Sequence, residues 1–316
     1  MRTNDGLIAA TLGALAVVAG AAAITRKSAF GSAVGRRHQP TVIAARRLNR
    51  ASGLIAASTL LDSGIEHYRG AFHNRAMIAP LVVSALTLAV SAHGTRDARP
   101  VAHRLRDSVY AGAALTGLIG TGFHLYNIGK RPGRFSWKNY SWQNLFYASP
   151  ILAPSAVALA GLLGYYSERL RESRSTGAPR VFGLPAGRAL AALTAAGLVA
   201  TAGEAGLLHF RGAYHDPFMY VPVTVPPIAA ALLAETAASR PRKPRRLARW
   251  WLRLTTLIGF VGAGFHIFGV HREMGGWRNW RQNVLNGPPI PAPSSFSGLA
   301  LAGLAALGLI EEHPHA

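Results

Sequence analysis

Apolar residues gather in nine long stretches along this chain, at 7–25, 52–67, 76–93, 109–127, 150–166, 189–208, 218–237, 252–270 and 295–311, with polar connections between them. Each is close to the roughly 20 residues a helix needs to cross a bilayer. The stretches are rich in Ala and Gly, small residues that let helix backbones approach one another in lipid. The pattern predicts an all-α polytopic membrane protein of about nine transmembrane helices.

Laying the stretches side by side exposes a tandem repeat. "HYRGAFHN" from His67 matches "HFRGAYHD" from His209, and "GTGFHLYNI" from Gly120 matches "GAGFHIFGV" from Gly262, both at one and the same offset. Farther on, "WKNYSWQN" answers "WRNWRQN" and "SPILAPS" answers "PPIPAPS", with the offset slightly shorter. The expected organisation is an N-terminal transmembrane helix with a basic linker (1–50), a first four-helix unit (51–180) and a second (181–316). An even number of spans per unit gives both units one orientation, a parallel repeat.

Charge then fixes the expected topology. Lys and Arg outnumber Asp and Glu by 34 to 13, which in a soluble protein would suggest nucleic acid. Here the connections at 26–50, 94–108, 167–188 and 238–253 hold 23 of the 34, so the imbalance is explained by the positive-inside rule and no nucleic acid is expected. That rule predicts a bacterial inner (cytoplasmic) membrane protein with its N-terminus periplasmic and its C-terminus cytoplasmic. The first stretch has only Arg2 before it and Arg26, Lys27, Arg36 and Arg37 after it, the pattern of a retained span rather than a cleaved signal.

With no cysteine, disulfides and thiolate metal sites are excluded, which leaves His and carboxylates as ligands. Three histidines recur in both units: His67 with His209, His73 with His215, and His124 with His266. Ionisable groups in or at the edge of a membrane are functional candidates, because burying them in lipid is costly. His67 follows Arg50, and His124 follows Arg106, at almost the same distance along the chain, so two helices can present the pair at one depth. In the second unit the spacings of His209 from Arg188 and of His266 from Arg253 agree less well. Gly64 and Gly206 precede the first His of each unit by three positions, and Gly120 and Gly262 precede the later His by four. Residues at these spacings share a helix face, so each His is expected to have a side-chain-free patch that clears room for a flat macrocycle.

A four-helix unit with His67 and His124 on different helices, each near a Gly, resembles the b-type cytochrome membrane anchors of respiratory oxidoreductases in general layout. The resemblance implies two b-type haems, ligated by His67 with His124 and by His209 with His266, and electron transfer between a periplasmic partner subunit and quinone or another acceptor. Arg69 and Arg211 are expected either to meet haem propionates or to snorkel to headgroups. The recurring acids Asp62 and Glu204 are candidates for a proton path, for orienting a His on a neighbouring helix, or for a protonated carboxyl that packs the bundle. His73 and His215 fall in a short turn, to cap it, bind quinone or join a metal site. The aromatic and basic segments 128–149 and 271–294 suit a membrane interface or a partner. No nucleotide-binding loop or nucleophile arrangement is present, so an electron-transfer subunit is expected rather than an enzyme. Two other readings stay open: a non-haem metal enzyme using the three His and a carboxylate, and a transporter or structural anchor.

Overall fold

The computed structural model describes residues 40–131, 133–147, 150–173, 178–239 and 245–313. The predicted first span, 7–25, lies outside the described residues, as do His38 and His315.

The first half contains α1 (Pro40–Arg69), α2 (Ala79–Arg96), α3 (Arg104–Gly129), the short α4 (Trp142–Tyr147) and α5 (Leu152–Glu172). A two-stranded antiparallel hairpin, β1 (Arg180–Val181) with β2 (Leu184–Pro185), leads to α6 (Ala186–Arg211), α7 (Val221–Ala238), α8 (Arg246–Arg272), the short α9 (Trp280–Asn286) and α10 (Ser294–Glu312). The eight long helices fall on the eight predicted stretches within the described residues. Among the described residues five stretches of helix are long and apolar enough to cross a membrane: Arg75–Arg96, Ala186–Arg211, Pro217–Ala238, Arg246–Arg272 and Ser294–Glu312. The chain is therefore an all-α membrane protein. Helices α1, α3 and α5 are as long but less apolar.

Packing closes two rings of four helices. In the first, α1 and α3 each pack against α2 and α5; in the second, α6 and α8 each pack against α7 and α10. Helices α1 and α10 join the rings, and the core lies along them: Leu48, Ala51 and Ile55 meet Leu299, Ala302 and Ala306 in a continuous buried cluster. Small residues make this approach possible. At Gly298 a Cβ would lie 2.6 Å from the Ile55 side chain and 3.0 Å from the Ala51 carbonyl oxygen. At Gly117 a Cβ would run into the Ala158 backbone, and at Gly259 it would come within 2.7 Å of the Pro293 carbonyl, so α3 and α8 touch the fourth helix of their rings almost backbone to backbone.

Each ring's first helix ends in the same kind of turn. Ala71 and Phe72 (φ 54° and 46°) follow α1, and Ala213 and Tyr214 (φ 58° and 47°) follow α6. Consecutive non-glycine residues in the left-handed region are costly and persist only where the surroundings dictate them. Here Phe72 N–H donates to the His67 carbonyl at 3.0 Å and Tyr214 N–H to the His209 carbonyl at 3.1 Å, while the Met77 and Met219 side chains close over Gly70 and Gly212. Asn74 and Asp216 then cap the next element, accepting from the Ala76 and Phe218 N–H groups.

The short helices cover these turns crosswise. From the second half, Arg281 on α9 donates to the Tyr68 hydroxyl at 2.6 Å. From the first half, Phe146 on α4 meets the Phe210 ring edge-on at 6.0 Å, with the Arg211 guanidinium 4.9 Å above the Phe146 ring. Trp137 and Trp142 beside them are strongly exposed.

Candidate histidine centres

The four repeated histidines that lie in helices are held in one way. His67 Nδ1 lies 2.6 Å from the Met77 carbonyl oxygen and His209 Nδ1 2.8 Å from that of Met219, each carbonyl belonging to the turn that enters the next helix. On the third helices, His124 Nδ1 lies 2.8 Å from the Pro150 carbonyl and His266 Nδ1 2.6 Å from that of Pro289, at the entry of the fourth. A carbonyl can only accept, so each Nδ1 carries the proton, and in the neutral imidazole each Nε2 then keeps its lone pair. That is the tautomer a metal-ligating imidazole needs, with the ring orientation fixed by the second nitrogen. Proline at positions 150 and 289 has no N–H of its own to satisfy, and its carbonyl precedes the helix and is free to accept.

Within each ring the two imidazoles stand close enough to act on one another's charge, His67 on His124 and His209 on His266. They come from the first and third helices, which lie diagonally across the ring. The rings also agree in depth: His67 and His209 each stand two residues before the end of α1 and α6, while His124 and His266 stand five and six before the ends of α3 and α8. The arginine spacings differ between the units because these arginines are not equivalent markers of depth: Arg50 and Arg253 stand ten and seven residues past the starts of α1 and α8, and Arg106 and Arg188 two past those of α3 and α6. Phe72 meets His67 edge-on at 6.2 Å, and Tyr214 does the same to His209 at 6.1 Å.

The glycines divide into two groups. At Gly64 a Cβ would find only a Leu81 methyl at 4.0 Å, and at Gly206 the Val223 methyl at 3.4 Å and the Tyr214 hydroxyl at 3.6 Å. At Gly120 it would lie 3.0 Å from Pro154 Cβ, and at Gly262 2.9 Å from Pro293 Cβ. The face next to Gly120 and Gly262 is thus filled by a proline ring of the fourth helix. These two glycines bring helices together; they do not clear space for a macrocycle, contrary to the expectation from spacing.

The remaining candidates have defined partners. Arg69 pairs with Glu66 at 2.7 Å, and Arg211 lies over Phe146. His73 and His215 are exposed, and their Nδ1 atoms close the turn onto the Gly70 and Gly212 carbonyls at 3.0 and 2.9 Å. Asp62 and Glu204, one from each half, lie within range of each other's charge, a proximity between units that the sequence comparison did not foresee. Among the described residues neither acid is hydrogen-bonded to a repeated histidine, and no group of three or more His, Asp or Glu side chains is gathered to hold a metal ion.

Sequence reading missed a buried polar layer at the opposite end of the first ring. Arg106 donates from Nε and Nη2 to both Glu168 oxygens at 2.9 and 3.0 Å and from Nη1 to Asp97 at 2.8 Å, all three side chains being buried. Arg171 donates to the Asp97, Arg99 and Gly94 carbonyls. Tyr110, Asn49, Ser91, Ser52 and Ser167 continue the hydrogen-bonded chain into the ring. The corresponding positions of the second unit are apolar: Ala248 for Arg106, Leu252 for Tyr110, Leu307 for Glu168 and Ile310 for Arg171. That contrast is present in the sequence, just beyond the ends of the matching strings.

Fold and site together define a membrane protein of helical bundles with paired, tautomerically fixed histidines. Comparison with known proteins takes the assignment no further: no family model, no curated protein and no solved structure matches this chain.

Proposed function

We propose that this protein is an electron-transfer subunit of the bacterial inner membrane that holds two b-type haems, one between His67 and His124 and one between His209 and His266. The observation that carries the reading is the shared Nδ1–H to carbonyl anchoring of all four imidazoles, which leaves one Nε2 lone pair per helix in each diagonal pair. Two imidazole nitrogens are the complete protein ligand set of a bis-histidine haem, so no third ligand is required of the chain. Haem bound there supplies a one-electron couple. The chain's own part is to fix ring orientation and to raise imidazole basicity through the carbonyl bonds, and Arg69 and Arg211, two residues beyond His67 and His209, would offer positive charge to the haem propionates.

The same reading takes the chain as nine spans in a one-plus-four-plus-four arrangement, with the tandem units parallel. Support comes from the anchoring contacts, which recur at equivalent positions of the two units: the Met77 and Met219 carbonyls for the first helices, the Pro150 and Pro289 carbonyls for the third. Both centres then face the periplasm, where a partner subunit and membrane quinone exchange electrons with them. The absorption spectrum of the purified, dithionite-reduced protein, produced with haem in adequate supply, tests the proposal. Soret and alpha bands at two haems per chain are expected; a folded protein with no such bands overturns it.

A further inference from the structure

At the end remote from the histidines, four arginines gather where α10 lies between α1 and α8. Arg47 and Arg50 are three apart on α1, and Arg249 and Arg253 four apart on α8, so each pair shares a helix face. Arg47 lies within range of the charges of Arg249 and Arg253, Arg50 within range of Arg46 and Arg47. Arg47 reaches across to α10, where its Nη1 is 3.5 Å from the Leu304 carbonyl. Among the described residues the carboxylates beside this group are Glu311, paired with Arg249 and accepting from the Arg245 N–H at 3.2 Å, and Glu312, which lies near Arg47. Arg47, Arg249 and Arg253, with Arg50 beside Arg47, thus meet two carboxylates. Among the described residues Arg50 Nε is buried without a hydrogen-bond partner, as are guanidinium nitrogens of Arg169, Arg171, Arg188 and Arg245.

The corresponding seam in the other half is balanced. There Ala189 and Ala192 occupy the places that Arg47 and Arg50 hold in the first unit, while Asp107 and Ala111 occupy those that Arg249 and Arg253 hold in the second. Arg169 pairs with Asp107 at 2.6 Å and with Glu172 at 2.7 Å, one cation to two carboxylates, although Asp107 Oδ1 and Arg169 Nε are themselves buried without a hydrogen-bond partner among the described residues. Positive-inside topology asks for basic connections; it does not ask for four arginines at one seam and none in excess at the other.

The depth of the cluster points to its ligand. Trp250 is 68% exposed and stands next to Arg249, and tryptophan settles at headgroup level. Trp250, Arg253, Leu257 and Val261, all exposed, follow one another at spacings of three and four along a single face of α8. An indole and a guanidinium at the polar boundary are thus followed by apolar side chains directed at the hydrocarbon. We propose that this seam binds an anionic phospholipid, its phosphate held by Arg50, Arg253 and their neighbours and an acyl chain lying along Leu257 and Val261. Basic pockets between membrane helices recognise phosphate headgroups in this way.

This inference rests on the chain being embedded in a membrane and not on haem; a chain that failed to partition with membranes would disprove that embedding before any lipid was tested. The test is thermal unfolding of the full chain in neutral detergent, titrated with phosphatidylglycerol, with phosphatidylcholine and with inorganic phosphate. Phosphatidylglycerol is expected to raise the midpoint by several degrees more than phosphatidylcholine. Arg50→Gln with Arg253→Gln should abolish that difference, whereas Arg169→Gln at the balanced seam should retain it. Equal responses to the two lipids in the wild type, or an undiminished preference in the double variant, overturn the proposal. A response to phosphate alone as large as that to phosphatidylglycerol makes a free anion the occupant and overturns the lipid assignment. Should the double variant not fold, native mass spectrometry of the wild type decides: phosphatidylglycerol adducts that outlast phosphatidylcholine adducts are expected, and equal retention refutes the site.

Discussion

A neutral histidine whose Nδ1–H is committed to a backbone carbonyl offers a lone pair at its remaining nitrogen. Because each proposed haem needs both of its imidazoles, His124→Ala is expected to lower the haem content of the purified protein from two per chain to one, with His209 and His266 undisturbed. The alpha-band amplitude per chain measures it; loss of both haems from a protein that still folds would show that the centres are not independent. At the same scale the glycines separate by what surrounds them. A methyl at Gly117 meets the Ala158 backbone, which cannot move aside as a side chain can, so Gly117→Ala should cost roughly 1–3 kcal/mol. Gly112 on the same helix has nothing within 4 Å of its Cβ position, and Gly112→Ala should cost nothing in the same thermal unfolding assay. Sequence spacing could identify which glycines share a face with a histidine. It could not say that the facing surface at Gly120 and Gly262 is occupied by Pro154 and Pro293, because those residues arrive from another helix.

Among elements, the first ring carries a charged layer at one end and the second an apolar one. Removing one partner of a buried ion pair strands the other, at a typical cost of about 3–5 kcal/mol, whereas replacing the whole group by packed apolar residues is often neutral. Glu168→Leu, which strands Arg106 and Arg171, should therefore destabilise strongly. The triple change Arg106→Ala, Glu168→Leu and Arg171→Ile, which installs the residues found at the corresponding places of the second ring and leaves Asp97 its pairing with Arg99, should recover most of the loss. Denaturation midpoints of the three proteins decide, and a triple variant no better than Glu168→Leu contradicts the argument. The same layer makes stability depend on pH. Burial opposes ionisation of Asp97, but hydrogen bonds from Arg99 and Arg106 outweigh it and hold the carboxyl well below the usual carboxylate range. A depressed folded value contributes stability that is complete above the unfolded pKa of about 4 and is lost as pH falls below it. Asp97→Asn should flatten this acid limb while lowering stability at neutral pH. Helix positions were legible because each apolar stretch is long and bounded by charge. The polar layer was not, since Arg106, Glu168 and Arg171 stand outside the apolar stretches and look like ordinary connection residues until the helices fold back on one another.

For the whole molecule, the eight long helices among the described residues alternate in direction, so the connections fall into two sets at opposite ends of the rings. One set contains the histidine turns and the aromatic segments around Trp137 and Trp277; the other contains the arginine-rich connections. The topology expected from charge takes the second set as cytoplasmic, since Lys and Arg are retained on that side during insertion. The chain has no cysteine, so a single introduced thiol reports its own side without a background to remove. Lys138 and Arg278 are exposed in the first set, and Val101, 56% exposed, lies in the second. In intact cells freed of the outer membrane, a membrane-impermeant maleimide should label Lys138→Cys and Arg278→Cys, and should label Val101→Cys only after the inner membrane is opened. Agreement between Lys138→Cys and Arg278→Cys carries particular weight, because it separates a parallel pair of units from an inverted one, in which corresponding connections would face opposite sides. The reverse labelling of all three would keep the parallel arrangement but turn the molecule over, which would place both proposed haems next to the cytoplasm and require a cytoplasmic electron donor.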